Sequence, residues 1–211
     1  MSETVATFLP GILAAYAILF VAATSPGPSV ALLLGVGASQ GRRAAWVTTA
    51  GIASGSVLLN ILTLLGVGLL LEKAAWGFTV LRVVGGAYLA WLAYSAFKKA
   101  VRPADLAAAD VPRQGTFRLF ATGFALQATN PKAIVFWVAI HAVSGVAAAP
   151  APVILAFFIG AFAISFFCHG AWGMLFSSSA FREAYNGGRR WIEAALGTFL
   201  AFMAFRLVTE R

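Results

Sequence analysis

Two apolar runs in this sequence are too long for one membrane crossing and too short for two. Phe8 to Ala38 would make a helix of about 46 Å at 1.5 Å per residue, against a hydrocarbon core of about 30 Å. Phe117 to Ala149 is longer still. Each contains an interruption built on proline: "SPGPS" from Ser25 to Ser29 in the first, "TNPKA" from Thr129 to Ala133 in the second. Proline removes a backbone donor and clashes with the carbonyl four residues earlier, so neither run suits an unbroken helix. Excess length and interruption explain each other if each run is a pair of half-helices meeting inside the bilayer.

Four more apolar runs follow the same reading: Ala44 to Leu71, Trp76 to Phe97, Pro152 to Phe176 and Trp191 to Val208. Each is close to the ~20 residues that span a bilayer. The chain is 61% hydrophobic and 10% charged, where a soluble domain carries roughly a quarter charged residues. The expected class is an all-α integral membrane protein with six transmembrane helices, the first and fourth broken at SPGPS and TNPKA. The opening "MSETVATFLP" has no basic segment before its apolar stretch, so it reads as part of a first span and not as a removable signal peptide.

Charge sets the orientation. Connections one, three and five hold Arg42, Arg43, Lys98, Lys99, Arg102, Arg113, Arg118, Arg182, Arg189 and Arg190. The opposite connections hold Lys73, with Arg206 and Arg211 at the C-terminal end. Basic residues in short loops stay cytoplasmic, which puts both termini on the outer side of the membrane. The formal charge of +8 therefore reflects topology and lipid headgroups, and no nucleic-acid partner is expected.

Pro28 and Pro131 each open a second half-helix and are each followed by two more spans. The single membrane domain, residues 1–211, then divides into repeat one (1–97), a cytoplasmic linker (98–116) and repeat two (117–211). Three spans per repeat is an odd number, so the second repeat enters the membrane upside down. Inverted repeats with discontinuous helices are a transporter design in which the substrate sits where the breaks meet. Irregular backbone at that depth is tolerated only against protein or a water-filled cavity.

Several residues carry the candidate chemistry. Gly27, between Pro26 and Pro28, is read as permitting a turn that side chains forbid. Asn130 offers both donor and acceptors at the second break, just before Pro131. The amides after Pro28 and Pro131 are positive half-helix ends that attract carboxylates. The carbonyls of Ala23 to Ser25 and Ala128 to Thr129 offer partial negative charge to an ammonium. Lys132 is an intramembrane cation, functional by default. Two roles fit it: binding a substrate carboxylate, or capping the carbonyls freed at the opposite break. Arg82 either snorkels to the outer interface or serves a gate, and Tyr88 either faces the cavity or pairs with backbone.

Glu193 is the sole acid in the spans. It reads as a first-turn residue complementing the helix dipole, within reach of Arg189 and Arg190. Cys168, the single cysteine, excludes a disulfide or two-thiol relay. Cys168 and His169 are adjacent on a helix and diverge, so no metal centre is expected. Gly51-x-x-x-Gly55 allows close helix packing, inside one subunit or across a homodimer.

At these residues the sequence resembles the lysine-exporter family of bacterial amino-acid efflux proteins, including the homoserine and threonine exporter branch. The likeness lies in "SPGPS", "ASQGRRAAWVTTAGIASG", "VVGGAYLAWLAYSAFK" and "GFALQATNPKAIVFW" and covers nearly the whole chain. It implies a secondary-active exporter of small amino acids or their derivatives, working by alternating access, with no cofactor, driven by the proton motive force and not an enzyme. Ser29 and Ser56 stand where many relatives carry acidic or amide groups, and "VAIHAVSG" replaces the usual ending after Trp137. With no acid but Glu193 in the spans, neutral amino-acid side chains are expected over lysine, arginine or metal cations. A metal, cation or other small-solute exporter on the same scaffold is the alternative reading.

Overall fold

The computed structural model describes residues 2–73, 75–102, 111–175 and 178–209, and its regular structure is entirely helical. The helices are α1 (Ser2–Thr24), α2 (Pro28–Lys73), α3 (Ala75–Val101), α4 (Thr116–Ala128), α5 (Pro131–Ser144), α6 (Ala151–Leu175) and α7 (Ser179–Thr209), with a short 3-10 turn at Val146–Ala148. Among the described residues, Ala6–Thr24, Pro28–Gly66 and Ala151–Leu175 are long and apolar enough to cross a membrane by length and composition. Large apolar side chains such as Leu13, Phe20, Leu65, Trp91, Leu155, Phe167 and Phe205 point outward. A water-soluble surface rarely tolerates so many together, whereas lipid accommodates them.

Helix α2 is a hairpin and not one rod. Gly41 holds φ 82°, ψ −176° within it, a conformation that only glycine adopts without strain. A Cβ placed on Gly173 would lie 3.7 Å from Leu33 Cδ2 and 3.0 Å from Ala45 Cβ. In a straight helix Leu33 and Ala45 would be about 18 Å apart, so the chain folds back at Gly41. The corresponding turn after α5 uses Gly145, left-handed at φ 65°.

The helix ends follow local chemistry. Before the first interruption, Thr24 Oγ1 donates to Phe20 O at 2.7 Å and Ser25 Oγ donates to Ala22 O at 3.0 Å. The Ser25 hydroxyl satisfies the Ala22 carbonyl, whose amide donor four residues on is replaced by Pro26. Thr129 Oγ1 bonds back in the same way as Thr24, to Ala125 O at 2.8 Å, a carbonyl that also accepts from the Thr129 amide. Asn130 then caps α5, its Oδ1 accepting from Lys132 N at 3.1 Å, with Pro131 at the first helical position, where its missing N–H costs nothing.

Helix α5 is central, touching α1, α2, α3, α4 and α7, with His141 edge-on to Phe157 of α6. It buries Ala133, Phe136, Trp137, Ala139, Ile140, His141 and Ser144. Helix α3 lies along α7, and the second arm of α2 (42–73) packs on α4. There a Cβ on Gly51 would collide with the Phe120 carbonyl, and one on Gly55 would sit 2.7 Å from Phe124 O. Between lipid-embedded helices such packing and hydrogen bonding drive association, since lipid is as apolar as the core. Both glycines are buried inside the chain, so this stripe is not a dimer face.

Two expectations need correction. Helix α7 starts at Ser179, so Arg189 and Arg190 are on a helix and Glu193 is about 21 Å from its start at helical rise, far from a first turn. Gly27 does not hold a positive φ; among the described residues only Gly41 and Gly145 do. Its missing side chain matters for another reason, given below. The centre of the linker, 103–110, and the side chains of Lys73, Arg82 and Arg182 lie outside the described residues.

Candidate functional site

The two interruptions meet. Lys132, in the first turn of α5, reaches across to the end of α1, where its ammonium donates to Ser25 O at 3.0 Å and to Ser25 Oγ. Pro26 O, at 3.5 Å, adds little. The ammonium also stands 5.9 Å from the Phe136 ring centroid. Gly27 makes this reach feasible: a Cβ there would be 3.2 Å from Lys132 Nζ and 3.5 Å from its Cδ. Two of the carbonyls read from sequence as open to a ligand are thus engaged within the protein. Ser25 O is held by Lys132, and Ala23 O accepts from Trp172 Nε1 at 3.2 Å.

The second junction mirrors this interlock. Ser29, one residue into α2, donates its hydroxyl to Gln127 Oε1 at 2.8 Å, with both side chains buried. Each half-helix start is therefore tied to the helix that ends at the other interruption. Ser56 accepts from Trp137 Nε1 at 3.0 Å, joining the second arm of α2 to α5. One turn further, His141 Nε2 meets Asn60 Oδ1 at 2.8 Å. His169 Nδ1 donates to Ser165 O at 2.8 Å, which leaves its Nε2 as an acceptor.

Two cavities flank the Lys132–Ser25 contact. The first, lined by Ser25, Ser29, Ser56, Gln127, Asn130 and His169 among others, gives the centres of water molecules only about 30 Å³. That suffices for water and not for a metabolite. The second is roomier, about 240 Å³, and is lined by Pro26, Pro28, Tyr88, Ser95, Lys99, Pro131, Lys132 and Glu193. Ser25, Gly27, Asn130 and Lys132 line both. The lysine and its serine partner form a partition between a small compartment and a larger one.

Of the residues singled out by sequence, Pro26, Gly27, Pro28, Ser29, Asn130, Pro131 and Lys132 converge here, and Tyr88 joins them across the second cavity. Arg82 is on α3, with its side chain outside the described residues. Sequence reasoning named Ser25 only for its carbonyl, His169 only as a metal candidate and Lys99 only as a loop charge, and it passed over Gln127. For Ser25 a signal existed: it precedes Pro26 as Asn130 precedes Pro131, and both follow a threonine. For the other three, only the third dimension brings them to the cavities. Among the described residues, no group of three or more His, Cys, Asp or Glu side chains is placed to hold a metal ion.

Several known proteins have similar sequences. The threonine efflux protein of Salmonella typhi is 29% identical over 200 residues, covering 90% of this chain and 94% of its own. An uncharacterised membrane protein of Escherichia coli, YahN, is 26% identical over 186 residues, with 88% and 83% covered. The leucine efflux protein of Klebsiella pneumoniae is 29% identical over 113 residues, about half of each chain. No solved structure matches significantly. The family model for the LysE type translocator matches residues 20–211, a stretch that contains both interruptions, the partition and both cavities. A translocator moves a solute without transforming it, and this chain belongs to the LysE type translocator family.

Proposed function

We propose that this protein exports small amino acids with neutral side chains, or their neutral derivatives, across the bacterial inner membrane. The observation that carries the reading is the partition: two cavities of unequal size abut on the Lys132–Ser25 contact, where the two helix interruptions meet. A solute crossing this fold must pass that point. The similarity to threonine and leucine efflux proteins supports this substrate class.

The mechanism is alternating access between two inverted three-helix repeats. Paired contacts support the repeat: Tyr16 of α1 stacks on Phe157 of α6, as Phe120 of α4 packs on Gly51 of α2. Likewise Trp137 of α5 bonds Ser56 of α2, as Trp172 of α6 packs beside Val30 and Leu34 at the start of α2. Both termini face the periplasm in this reading, because Arg42, Arg43, Lys98 and Lys99 gather at the ends that basic residues hold in the cytoplasm. The second cavity, with Lys99 on its wall, is then the cytoplasmic chamber, and the proton motive force drives the cycle.

The test is efflux from cells fed dipeptides that release one amino acid at a time. Cells making the protein should excrete threonine, homoserine or leucine faster than cells lacking it, and should show no gain for lysine or arginine. Faster efflux of lysine or arginine alone contradicts the substrate class.

A further inference from the structure

Glu193 is 1% exposed, and its Oε1 has no hydrogen bond. Arg189 Nε stands 3.7 Å away, close enough to balance charge and too far to donate a good hydrogen bond. Arg189 Nε and Nη1 are also without hydrogen-bond partners. A buried carboxylate left this way is costly unless a ligand completes it, and packing gives no reason for it, since an apolar side chain would fill the same space. Glu193 is among the residues that line the 240 Å³ cavity, which is smaller than the roughly 300–1,000 Å³ of drug-sized sites and suits a small metabolite.

The charges facing that cavity come from three helices: Lys99 from α3, Lys132 from α5, and Glu193 from α7 with Arg189 behind it. Lys132 is engaged by Ser25. Lys99 is exposed and stands in the last turn of α3, at the cavity's rim. One buried carboxylate and one free ammonium across a small chamber form the complement of a zwitterion.

We propose that this cavity binds the amino-acid backbone, Glu193 accepting the α-ammonium and Lys99 attracting the α-carboxylate. The assignment rests on the export reading above and places its substrate. It also gives the preference for neutral side chains a mechanism: the one carboxylate is taken by the α-ammonium, and a second cation finds no partner.

Calorimetry on the full chain in lipid nanodiscs tests this, with L-threonine, N-acetyl-L-threonine, L-threoninamide and L-leucine as probes. The wild type should bind threonine about tenfold or more tighter than its N-acetyl form, the loss expected for a missing charged hydrogen bond. Glu193→Gln should erase that preference, and Glu193→Asp should reduce it without erasing it. Lys99→Gln should erase the preference for threonine over threoninamide. An unchanged N-acetyl discrimination in Glu193→Gln overturns the assignment while leaving the export reading intact. If only the aspartate variant inserts, weaker threonine binding at constant N-acetyl binding supports the role, and equal weakening of both overturns it. Failure of the wild type to bind either threonine or leucine overturns the export reading itself.

Discussion

Replacing Lys132 with methionine keeps a long, unbranched side chain and removes the ammonium. Two charged hydrogen bonds are then lost, to Ser25 O and Ser25 Oγ, each worth about 1.5–3 kcal/mol. Against that, the variant no longer brings a cation into the membrane interior, which costs about 3 kcal/mol on insertion scales. At the low end of that range the two effects cancel in overall stability, and at the high end the net loss is about 3 kcal/mol. They do not cancel in the partition, because the lost bonds tie the two interruptions together and the insertion cost does not. Weakening that tie by even 1.4 kcal/mol increases opening tenfold. A cysteine at Ala22, on the wall of the smaller cavity, reports the opening in a Cys168→Ala background. Its rate of modification by a small thiol reagent in inside-out vesicles should rise at least about tenfold in Lys132→Met, while the melting temperature does not collapse. A modification rate within twofold of the parent refutes the partition, and a collapsed melting temperature with unchanged rate makes Lys132 a staple of the fold alone.

Asn130→Ala removes the cap on α5 and should cost about 1 kcal/mol of stability, with slower efflux at equal membrane abundance, measured by threonine release from loaded cells. Gly51→Val drives a side chain into the Phe120 carbonyl, an atom that cannot move aside; overpacking of about 1–3 kcal/mol or more should appear as loss of the monodisperse peak in detergent. A cysteine at Asn186 in the Cys168→Ala background should be shielded from an impermeant thiol reagent in intact cells and labelled after permeabilisation, and labelling from outside contradicts the assigned orientation.

Where the helices stop was legible in the sequence, because proline acts on its own neighbours and needs no distant partner. The end of α1 at Thr24 and the start of α5 at Pro131 follow from three or four residues each. The glycines of α2 were legible as a packing face, and the choice of α4 as their partner was not. What Lys132 touches was also hidden: its two readings differed only in whether a carbonyl 107 residues away would be free or engaged. Glu193 was misplaced because the polar stretch before Trp191 reads as a loop. In the folded chain Tyr185 and Phe181 pack with Val30, Leu34 and Trp172, and that packing extends α7 over sequence whose local signals favour a turn.

The bonds between Ser56 and Trp137 and between Asn60 and His141 each join residues 81 positions apart. Synthesis at about 5–20 residues per second puts some 4–16 s between the emergence of one partner and the other. For that interval the first half of the chain carries buried-type polar groups into the membrane with nothing to receive them. It therefore waits as an incomplete body, dependent on the insertion machinery or on transient partners. A defect in the second half leaves the first half stranded in that condition. Substitutions far along the chain, at Trp137 or His141, thus threaten the survival of helices already in the membrane, and their effect falls on protein abundance before it reaches transport.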